Sequence, residues 1–396
     1  MHSKIHIIKL LLTPIILTAI LSGCAGMSGK EEQNVFYPPL PSPPRIQYLT
    51  SFSDPRDLVT DETGFSDFIL GTDEKGATLI TKPYGVAIKD GVLYVVDIRG
   101  PGYALFDLKK KKFDVVYGSF SGKMKKPINI SIDTDGTKYI TDTIRSIVLV
   151  YDDKNKFIKV IGNGSDFKPS DVLVVGNKLF ITDIKNHRIV VLDKTTDQQL
   201  YTIGSVGSKE GELFYPTNLA LGPDNYLYVS ETGNFRVQKF TLDGKFVKSF
   251  GKVGTGLGQF ARPKGVAVDR DGRIHVVDAA FENVQIINSE GKLLMFYGEP
   301  GGNKANINLP TDIFIDYDNI EYFQRYAKPG FNIEYIILVA SQFGISKVNV
   351  FGFGRMKDME YPDELNNAVA SEVNDENPDT ETPKNNKLDA QTQETQ

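Results

Sequence analysis

Six prolines recur along this chain at a nearly constant spacing. They are Pro83, Pro127, Pro169, Pro216, Pro263 and Pro310, and the gaps between them are 44, 42, 47, 47 and 47 residues. Each proline opens a similar phrase, which is clearest in Pro263-Lys264-Gly265-Val266-Ala267-Val268-Asp269. A fixed period of about 40 to 50 residues is typical of repeat architectures such as propellers. The repeat therefore constrains the fold more strongly than the composition does.

The fifth repeat contains four short apolar segments, each the length of a β-strand. They span residues 263–269, 274–278, 284–287 and 293–298. Asp271-Gly272 and Glu290-Gly291 lie between them and supply the positive φ angles that tight hairpins require. No window of the repeat region carries apolar residues at helical spacing for three turns, which argues against a helical solenoid. One repeat is therefore predicted to be a four-stranded antiparallel blade.

The sixth repeat runs out of strands before the sequence becomes polar. It offers only 312–316, 335–340 and 347–351. Tyr48-Leu49-Thr50-Ser51-Phe52 matches the outer-strand sequence Phe246-Val247-Lys248-Ser249-Phe250 and can supply the fourth strand. We predict an all-β fold, a six-bladed β-propeller over residues 45–354, whose last blade is closed by this N-terminal strand. Such closure also removes an exposed sheet edge.

Glycine-rich phrases before the prolines and Asn-x-Arg-Val phrases after the second strands resemble the NHL repeat. The matching segments are 251–263, 204–216, Asn186-His187-Arg188-Ile189 and Asn234-Phe235-Arg236-Val237. The resemblance covers six units, of which the fourth and fifth are strong and the first, second and sixth are degraded. The sixth unit carries a long insert, Asn319 to Asn332, and the N-terminus has a lipobox at Cys24 followed by the Pro-rich segment 37–44. In this pairing the chain is similar to a subgroup of bacterial propeller lipoproteins often encoded near secreted multihaem cytochromes. This resemblance implies a scaffold that acts in the assembly or export of extracellular proteins.

Residues 1–23 have the pattern of a lipoprotein signal peptide. Two lysines precede an apolar stretch that is shorter than the roughly 20 residues of a membrane span, and Leu21-Ser22-Gly23-Cys24 follows as a lipobox. We predict that cleavage leaves Cys24 as the lipidated N-terminus, because two or three acyl chains hold a protein on a membrane essentially permanently. In bacteria that sort lipoproteins by the next residue, Ala25 implies the outer membrane.

The charge of the chain is concentrated in its C-terminal tail. Residues 24–354 hold 39 basic and 39 acidic residues, whereas residues 355–396 hold 4 basic and 11 acidic ones. The tail is poor in apolar residues and is predicted to be disordered. Residues 24–44 are predicted to form a proline-rich tether. A neutral propeller exported from the cytoplasm has neither the charge nor the location to bind nucleic acid.

Related propellers include metal-dependent lyases and lactonases whose ion lies at the channel mouth. The mature chain has only two histidines and one cysteine, too few for a zinc site of the usual kind. The second residue after each repeat proline is Gly85, Asn129, Asp171, Asn218, Gly265 or Asp312. The four polar members would place oxygen ligands for a divalent cation around the channel. Glycine, asparagine and aspartate also tolerate left-handed backbone or cap turns, and we favour that interpretation, with no cofactor.

An acidic residue ends the second strand of five repeats. These residues are Asp97, Asp142, Asp183, Glu231 and Asp278, and the sixth repeat has Ser341 instead. Because they recur blade by blade, we predict that they are structural. They would accept hydrogen bonds from the following turn and pair with Arg145, Arg188 or Arg236.

The sixth repeat carries a long aromatic insert over residues 319–334. It contains Tyr322, Phe323, Arg325, Tyr326 and Phe331. Aromatic residues beside arginine on a loop are typical of binding hot spots, so the insert is a candidate partner-binding loop. The alternative is that it packs over the seam between the last and first blades.

Together these patterns predict a monomeric, noncatalytic propeller scaffold in the bacterial cell envelope. It would be attached to the membrane through its N-terminal lipid and would bind an envelope or extracellular protein or polymer. The alternative is a metal-dependent lyase or hydrolase with its site at the channel mouth.

Overall fold

Strand pairing arranges this chain as six antiparallel sheets. The structure is a computed structural model that describes residues 35–58, 80–162, 164 and 166–361. Five sheets have four strands and one has five, which confirms the predicted six-bladed β-propeller. The described residues from Val35 to Lys357 belong to one compact unit, and only 358–361 of a second unit, Asp358–Gln396, are described. The predicted signal peptide, Cys24 and nearly all of the acidic tail lie outside the described residues.

Blades 1 to 5 each use four consecutive strands. Blade 1 contains β3 (Pro83–Lys89), β4 (Val92–Asp97), β5 (Gly102–Asp107) and β6 (Lys112–Val116). Blade 2 contains β7 (Pro127–Ile132), β8 (Lys138–Asp142), β9 (Ile147–Tyr151) and β10 (Phe157–Ile161). Blade 3 contains β11 (Pro169–Val175), β12 (Lys178–Asp183), β13 (Arg188–Asp193) and β14 (Gln199–Ile203). Blade 4 contains β15 (Pro216–Leu221), β16 (Leu227–Glu231), β17 (Arg236–Phe240) and β18 (Phe246–Phe250). Blade 5 contains β19 (Pro263–Val268), β20 (Ile274–Asp278), β21 (Asn283–Ile287) and β22 (Leu293–Tyr297).

Blade 6 is assembled from both ends of the described chain. Its strands are β23 (Asn308–Asp316), β24 (Phe331–Phe343), β25 (Val348–Met356), β2 (Ile46–Phe52) and β1 (Phe36–Tyr37). Strand β2 pairs with β25, from Ile46 opposite Phe353 to Phe52 opposite Val348, which is the predicted closure. Strand β1 extends the same sheet, so the fold begins about ten residues before the boundary expected from the sequence.

In blades 1 to 5 a repeat proline is the first residue of the inner strand. Proline is tolerated there because the first residue of a strand can do without its ladder hydrogen bond. The hairpin that follows β3 has two residues with positive φ, Asp90 at 53° and Gly91 at 79°, as a tight two-residue turn requires. The hydrophobic pattern and the turn residues therefore predict the same strand and turn positions in the blade.

The two faces of the disc are built from different connections. The loop face carries the loops between blades, such as 117–126, and the turns between second and third strands, such as 98–101. The hairpin face carries the turns between first and second strands and between third and fourth strands, such as 90–91 and 108–111. Each inner strand runs from the loop face to the hairpin face.

The hydrophobic core is divided among the blade interfaces. The cluster between blades 6 and 1 joins the closing strand to the first blade through Phe52 and Phe106, whose ring centroids are 5.4 Å apart. Phe36 of β1 packs edge to face on Phe331 at 5.7 Å. Part of the predicted tether therefore belongs to the packed core.

Helical structure is a minor part of the described chain. It consists of a short α-helix, α1 (Ile320–Gln324), and the 3₁₀ helices Pro55–Leu58 and Phe120–Gly122. Among the described residues, no helix has the length and apolar character needed to cross a bilayer.

Candidate functional site in the central channel

The second residue after each repeat proline lies where the inner strand departs from regular pairing. The register between the first two strands shifts within two or three residues of the proline in all six blades. None of these six residues has a positive φ angle. The left-handed turn that we favoured from the sequence is therefore wrong. A β-bulge accounts for the irregularity instead.

Gly85 and Gly265 are needed because the next blade approaches them closely. A Cβ atom on Gly265 would lie 2.7 Å from the Cα of Asp312 and 2.8 Å from the nitrogen of Ile313. A Cβ atom on Gly85 would clash with the side chain and main chain of Asn129. Two of the six positions therefore lack side chains for steric reasons.

The other four positions form a buried polar ring, defined as Asn129, Asp171, Asn218 and Asp312. All four side chains are at least 94% buried. Asn218 Nδ2 donates to Asp312 Oδ1 at 3.2 Å, and the amide of Asn129 hydrogen-bonds to Asp171. The structure thus brings together the four side chains predicted to surround the channel.

The two aspartates of the polar ring also connect neighbouring blades. Asp171 Oδ2 accepts a hydrogen bond from the main-chain nitrogen of Leu219 at 2.8 Å, and its Oδ1 accepts one from Val172 at 2.7 Å. Asp312 Oδ2 accepts one from Val86 at 3.0 Å, across the closure of the ring. Each of the four carboxylate oxygens therefore already has a donor.

Burial dominates the electrostatics of the polar ring. It raises the pKa of Asp171 to about 7, against the opposing effect of the Leu219 and Val172 donors. Burial and the nearby Asp171 carboxyl raise the pKa of Asp312 well above its usual range. Both shifts favour the neutral acids, so the ring does not carry two full negative charges near pH 7.

Basic and aromatic side chains lie on the loop-face side of the polar ring. Burial, with a smaller effect from the Arg262 guanidinium, lowers the pKa of Lys264 to about 8. Burial also raises the pKa of Tyr84 to about 12. No sequence pattern pointed to Lys264, because the position directly after a repeat proline varies from blade to blade.

A cavity of about 410 Å³ extends from the polar ring towards the hairpin face. Its walls are the inner strands of all six blades, and it ends near Lys89, Asp90 and Asp318. Inner strands are sheet edges, so their free main-chain groups face this space. The cavity therefore suits water or a small polar ligand.

The polar ring offers an incomplete set of metal ligands. Asn218 Oδ1 is buried and has no hydrogen-bond partner, and oxygen atoms of this kind suit calcium. The carboxylate oxygens, however, are engaged by donors as described above. Among residues 35–58, 80–162, 164 and 166–361, no group of three or more His, Cys, Asp or Glu side chains is placed to hold a metal ion.

We expect the raised pKa of Asp171 to appear as a pH dependence of stability. A carboxyl with a folded pKa of about 7 and an ordinary pKa of 3.8 stabilises the fold fully below 3.8, and this stabilisation is lost as the pH rises through 7. Between pH 5 and pH 8 the loss is about 2–3 kcal/mol. Urea unfolding at both pH values should show a loss that is smaller in Asp171→Asn than in the wild type by about this amount, because only the raised pKa of Asp312 then contributes.

The control for this prediction is Asp271→Asn, because the side chain of Asp271 is 67% exposed. It should keep the pH dependence of the wild type. Parallel pH curves for the wild type and both variants would contradict the buried, protonated Asp171.

The strand-end acids lie away from the polar ring, at the loop face. All five are buried and each joins the turn after its own strand to the preceding interblade loop. Asp278 accepts hydrogen bonds from the main-chain nitrogens of Ala261, Arg262, Ala280 and Phe281 at 2.7–3.2 Å. The carboxylates therefore act as connectors of the loop face.

The arginine partners of these acids differ among blades. Arg236 Nε donates to Glu231 Oε1 at 2.7 Å, and Arg188 Nε lies 3.4 Å from Asp183 Oδ2. The side chain of Arg145 does not pair with Asp142 and instead donates to the carbonyl oxygens of Ser121 and Lys123. Main-chain donors are thus common to all five acids, whereas the arginine pair is not.

The aromatic insert packs over the seam between blades 6 and 1. Phe323 and Phe331 are fully buried, and the Phe323 ring lies 6.4 Å from that of Phe52. Tyr322 and Tyr326 are partly buried against the same cluster. Arg325 is exposed, and its guanidinium lies 4.1 Å from the centroid of the Tyr322 ring. Of the five insert residues named from the sequence, Tyr322, Arg325 and Tyr326 keep surface for a partner.

The structure also shows a buried polar cluster that sequence reasoning missed. Asp269 Oδ2 accepts from Tyr335 Oη at 2.8 Å and from Arg273 Nε at 2.6 Å, beside His275. Phe353 stacks on Tyr335 at 4.6 Å. These residues come from blades 5 and 6, so only the tertiary structure brings them together.

The chain resembles solved structures in fold. No protein-family model matches the sequence. A Bacteroides thetaiotaomicron protein of unknown function is 20% identical, with a TM-score of 0.50 over 69% of this chain and 70% of that one. Virginiamycin B lyase from Staphylococcus aureus is 20% identical, with a TM-score of 0.48 over 73% and 86%. A gluconolactonase from Xanthomonas campestris is 16% identical, with a TM-score of 0.49 over 70% and 90%. At these identities the similarity concerns fold alone, and the chain is a six-bladed β-propeller.

Proposed function

We propose that this chain is a noncatalytic propeller scaffold of the bacterial cell envelope that binds a partner protein at its hairpin face. The observation that carries the proposal is the aromatic insert, which breaks the repeat and lies on the hairpin face between β23 and β24. The lipid anchor at Cys24, the outer-membrane location, the monomeric state and the NHL assignment belong to the same proposal.

The insert is held rigidly enough to serve as a binding surface. Phe323 and Phe331 fix it in the core, and Gln324 joins its two ends. Gln324 Nε2 donates to the carbonyl of Phe331 at 2.7 Å, and Gln324 Oε1 accepts from the nitrogen of Ile333 at 3.1 Å. A fixed loop loses little conformational freedom when a partner binds.

The outward side of the insert has the chemistry of an interface anchor. Tyr322 and Arg325 are stacked, and Arg325 Nε also donates to the carbonyl of Tyr322 at 2.7 Å. Tyrosine and arginine are enriched among interface residues that dominate binding energy. The partner is therefore proposed to be an envelope or extracellular protein, such as one undergoing assembly or export.

The polar ring supports a structural rather than a catalytic use of the channel. The ring carboxyls connect blades 3 to 4 and 6 to 1, and burial favours their neutral forms. A catalytic group needs a free atom at the reacting centre, whereas these oxygens already have donors. The strand-end acids are used in the same structural way.

We expect the double variant Tyr322→Ala and Arg325→Ala to weaken partner binding at least about tenfold, because truncating such anchors typically removes 1–2 kcal/mol or more. The measurement is affinity purification of the full chain from its envelope after crosslinking, followed by titration with the recovered partner. Lys292→Ala, on the same face with a side chain that is 77% exposed, is the control. Equal binding by all three proteins would refute the proposed surface.

A metal-dependent lyase or hydrolase remains the second candidate function. The observation that favours it is the buried Asn218 Oδ1, which has no hydrogen-bond partner and belongs to the amide whose Nδ2 donates to Asp312. Elemental analysis of the purified protein tests it. A stoichiometric divalent ion that is lost in Asp171→Asn with Asp312→Asn would favour the enzyme over the scaffold.

A further inference from the structure

Exposed large apolar side chains are concentrated on the loop face. Phe120 is 97% exposed and Leu257 is 79% exposed, and both lie in loops between blades. Among the described residues, ten such side chains lie on the loop face and six lie on the outer strands. Leu40 is the one that lies on the hairpin face. An uneven distribution of this kind indicates a surface that is covered in use.

The same face carries an excess of positive charge. The described connections between strands contain fourteen basic and seven acidic residues on the loop face, and thirteen basic and thirteen acidic residues on the hairpin face. Residues 59–79, which the structure does not describe, hold one further basic and five further acidic residues. The five strand-end acids lie beneath these connections, where they are buried and hydrogen-bonded. The connections that the structure describes on the loop face therefore favour contact with a negatively charged surface.

The apolar side chains form separate tips rather than one groove. Phe120 follows blade 1, Val206 follows blade 3, Leu257 follows blade 4, and Ile345 belongs to blade 6. A groove would suit one peptide or helix. Tips spread around the rim of a disc, with basic residues between them, suit a broad flat surface such as the headgroup region of a bilayer.

The direction of the N-terminal chain agrees with this arrangement. Strand β2 ends at the loop face, because Phe52 pairs with Val348, the first residue after a loop-face turn. Strand β1 runs antiparallel to β2, so the chain approaches Val35 from the loop-face side. Cys24 is eleven residues upstream, and eleven extended residues span at most about 40 Å.

We propose that the loop face of the propeller lies directly on an anionic lipid bilayer, with the apolar tips in the headgroup region. The binding surface goes beyond the proposed scaffold function and does not require it. It leaves the hairpin face, the channel cavity and the aromatic insert turned away from the membrane. The lipid at Cys24 would strengthen the attachment, whereas the loop face would set its orientation.

The chain contains no tryptophan, so one introduced tryptophan can report which face meets the lipid. Phe120→Trp and Leu257→Trp place the probe on the loop face, and Lys292→Trp places it on the hairpin face. The full-length protein is mixed with vesicles of phosphatidylglycerol and phosphatidylethanolamine, with and without brominated lipid. We expect at least twofold quenching and a blue-shifted emission for the two loop-face probes, and neither change for Lys292→Trp.

The charge contribution is tested by a matched pair of reversals. Lys123→Glu with Lys125→Glu on the loop face should reduce the quenching of the Phe120→Trp probe, whereas Lys154→Glu with Lys156→Glu on the hairpin face should not. Replacing phosphatidylglycerol by neutral phosphatidylcholine should also reduce it.

Three results would overturn the proposal. Quenching of Lys292→Trp as strong as that of Phe120→Trp would mean that the disc has no preferred face. Vesicle attachment without quenching of any probe would mean that the lipid anchor alone holds the protein and that the loop face does not lie on the bilayer. Absence of both attachment and quenching would exclude lipid binding. None of these results bears on the Tyr322 and Arg325 surface, which is tested by partner titration.

Discussion

Replacing Asp278 by alanine is expected to destabilise the propeller by about 3–5 kcal/mol. The side chain is fully buried and accepts four main-chain hydrogen bonds, two from the loop before blade 5 and two from the turn after β20. Alanine removes all four acceptor contacts and leaves these nitrogens without the partner that the fold provides. The free energy of unfolding in urea measures the loss.

The control for Asp278 is Asp271→Ala, seven residues earlier in the same blade. The Asp271 side chain is 67% exposed and pairs only with Arg273, so its removal should change stability by less than about 1 kcal/mol. Asp278→Asn should lie between the two, because an amide keeps one acceptor oxygen. Similar stabilities for the two alanine variants would show that the strand-end acids do not hold the loop face together.

Replacing Phe52 by alanine is also expected to lower the free energy of unfolding by about 3–5 kcal/mol. Phe52 ends the closing strand and is fully buried, with its ring centroid 5.4 Å from Phe106 of blade 1 and 6.4 Å from Phe323 of the insert. The cavity left by alanine would lie between blades 6 and 1, beside the closing strand β2, which is joined to β25 by strand pairing alone. Urea unfolding again gives the magnitude.

Phe120→Ala is a matched control, since the same residue type is 97% exposed there. It should leave the stability within about 0.5 kcal/mol of the wild type. A loss at Phe52 no larger than at Phe120 would mean that the closing strand contributes little to the folded state. Because Phe323 shares the Phe52 contact, Phe52→Ala should also loosen the insert and increase its amide hydrogen exchange.

The blades could be predicted because their information is local and repeated. Apolar segments of strand length, Asp-Gly turns and a proline at the start of inner strands each specify a short-range conformation. Closure by Tyr48–Phe52 could also be recognised, since a missing outer strand has a definite hydrophobic pattern. The extra strand β1 could not be predicted, because two residues are too few to show a strand pattern, and the prolines that follow do not indicate a strand.

The repeat indicated which positions contribute to the polar ring, but the left-handed backbone expected at these positions does not occur. Gly85, Asn129, Asp171 and their equivalents have residue types that permit left-handed backbone, but none adopts it. The glycines are there because another blade approaches, and the aspartates because their oxygens meet main-chain donors of the next blade. These neighbours are 40 or more residues away along the chain, beyond the reach of local reasoning.

The sequence by itself determined the number of blades, their strands and the borrowed strand that closes them, because each depends on patterns within one repeat. Only the tertiary structure decided which polar side chains face each other across the channel and which aromatic residues of the insert are already packed. It also gathered basic and apolar side chains from separate blades onto one face. The physical reason is that the burial and the charge of a site depend on distances between residues of different blades. These distances are set by the closed ring and not by the sequence of any one repeat.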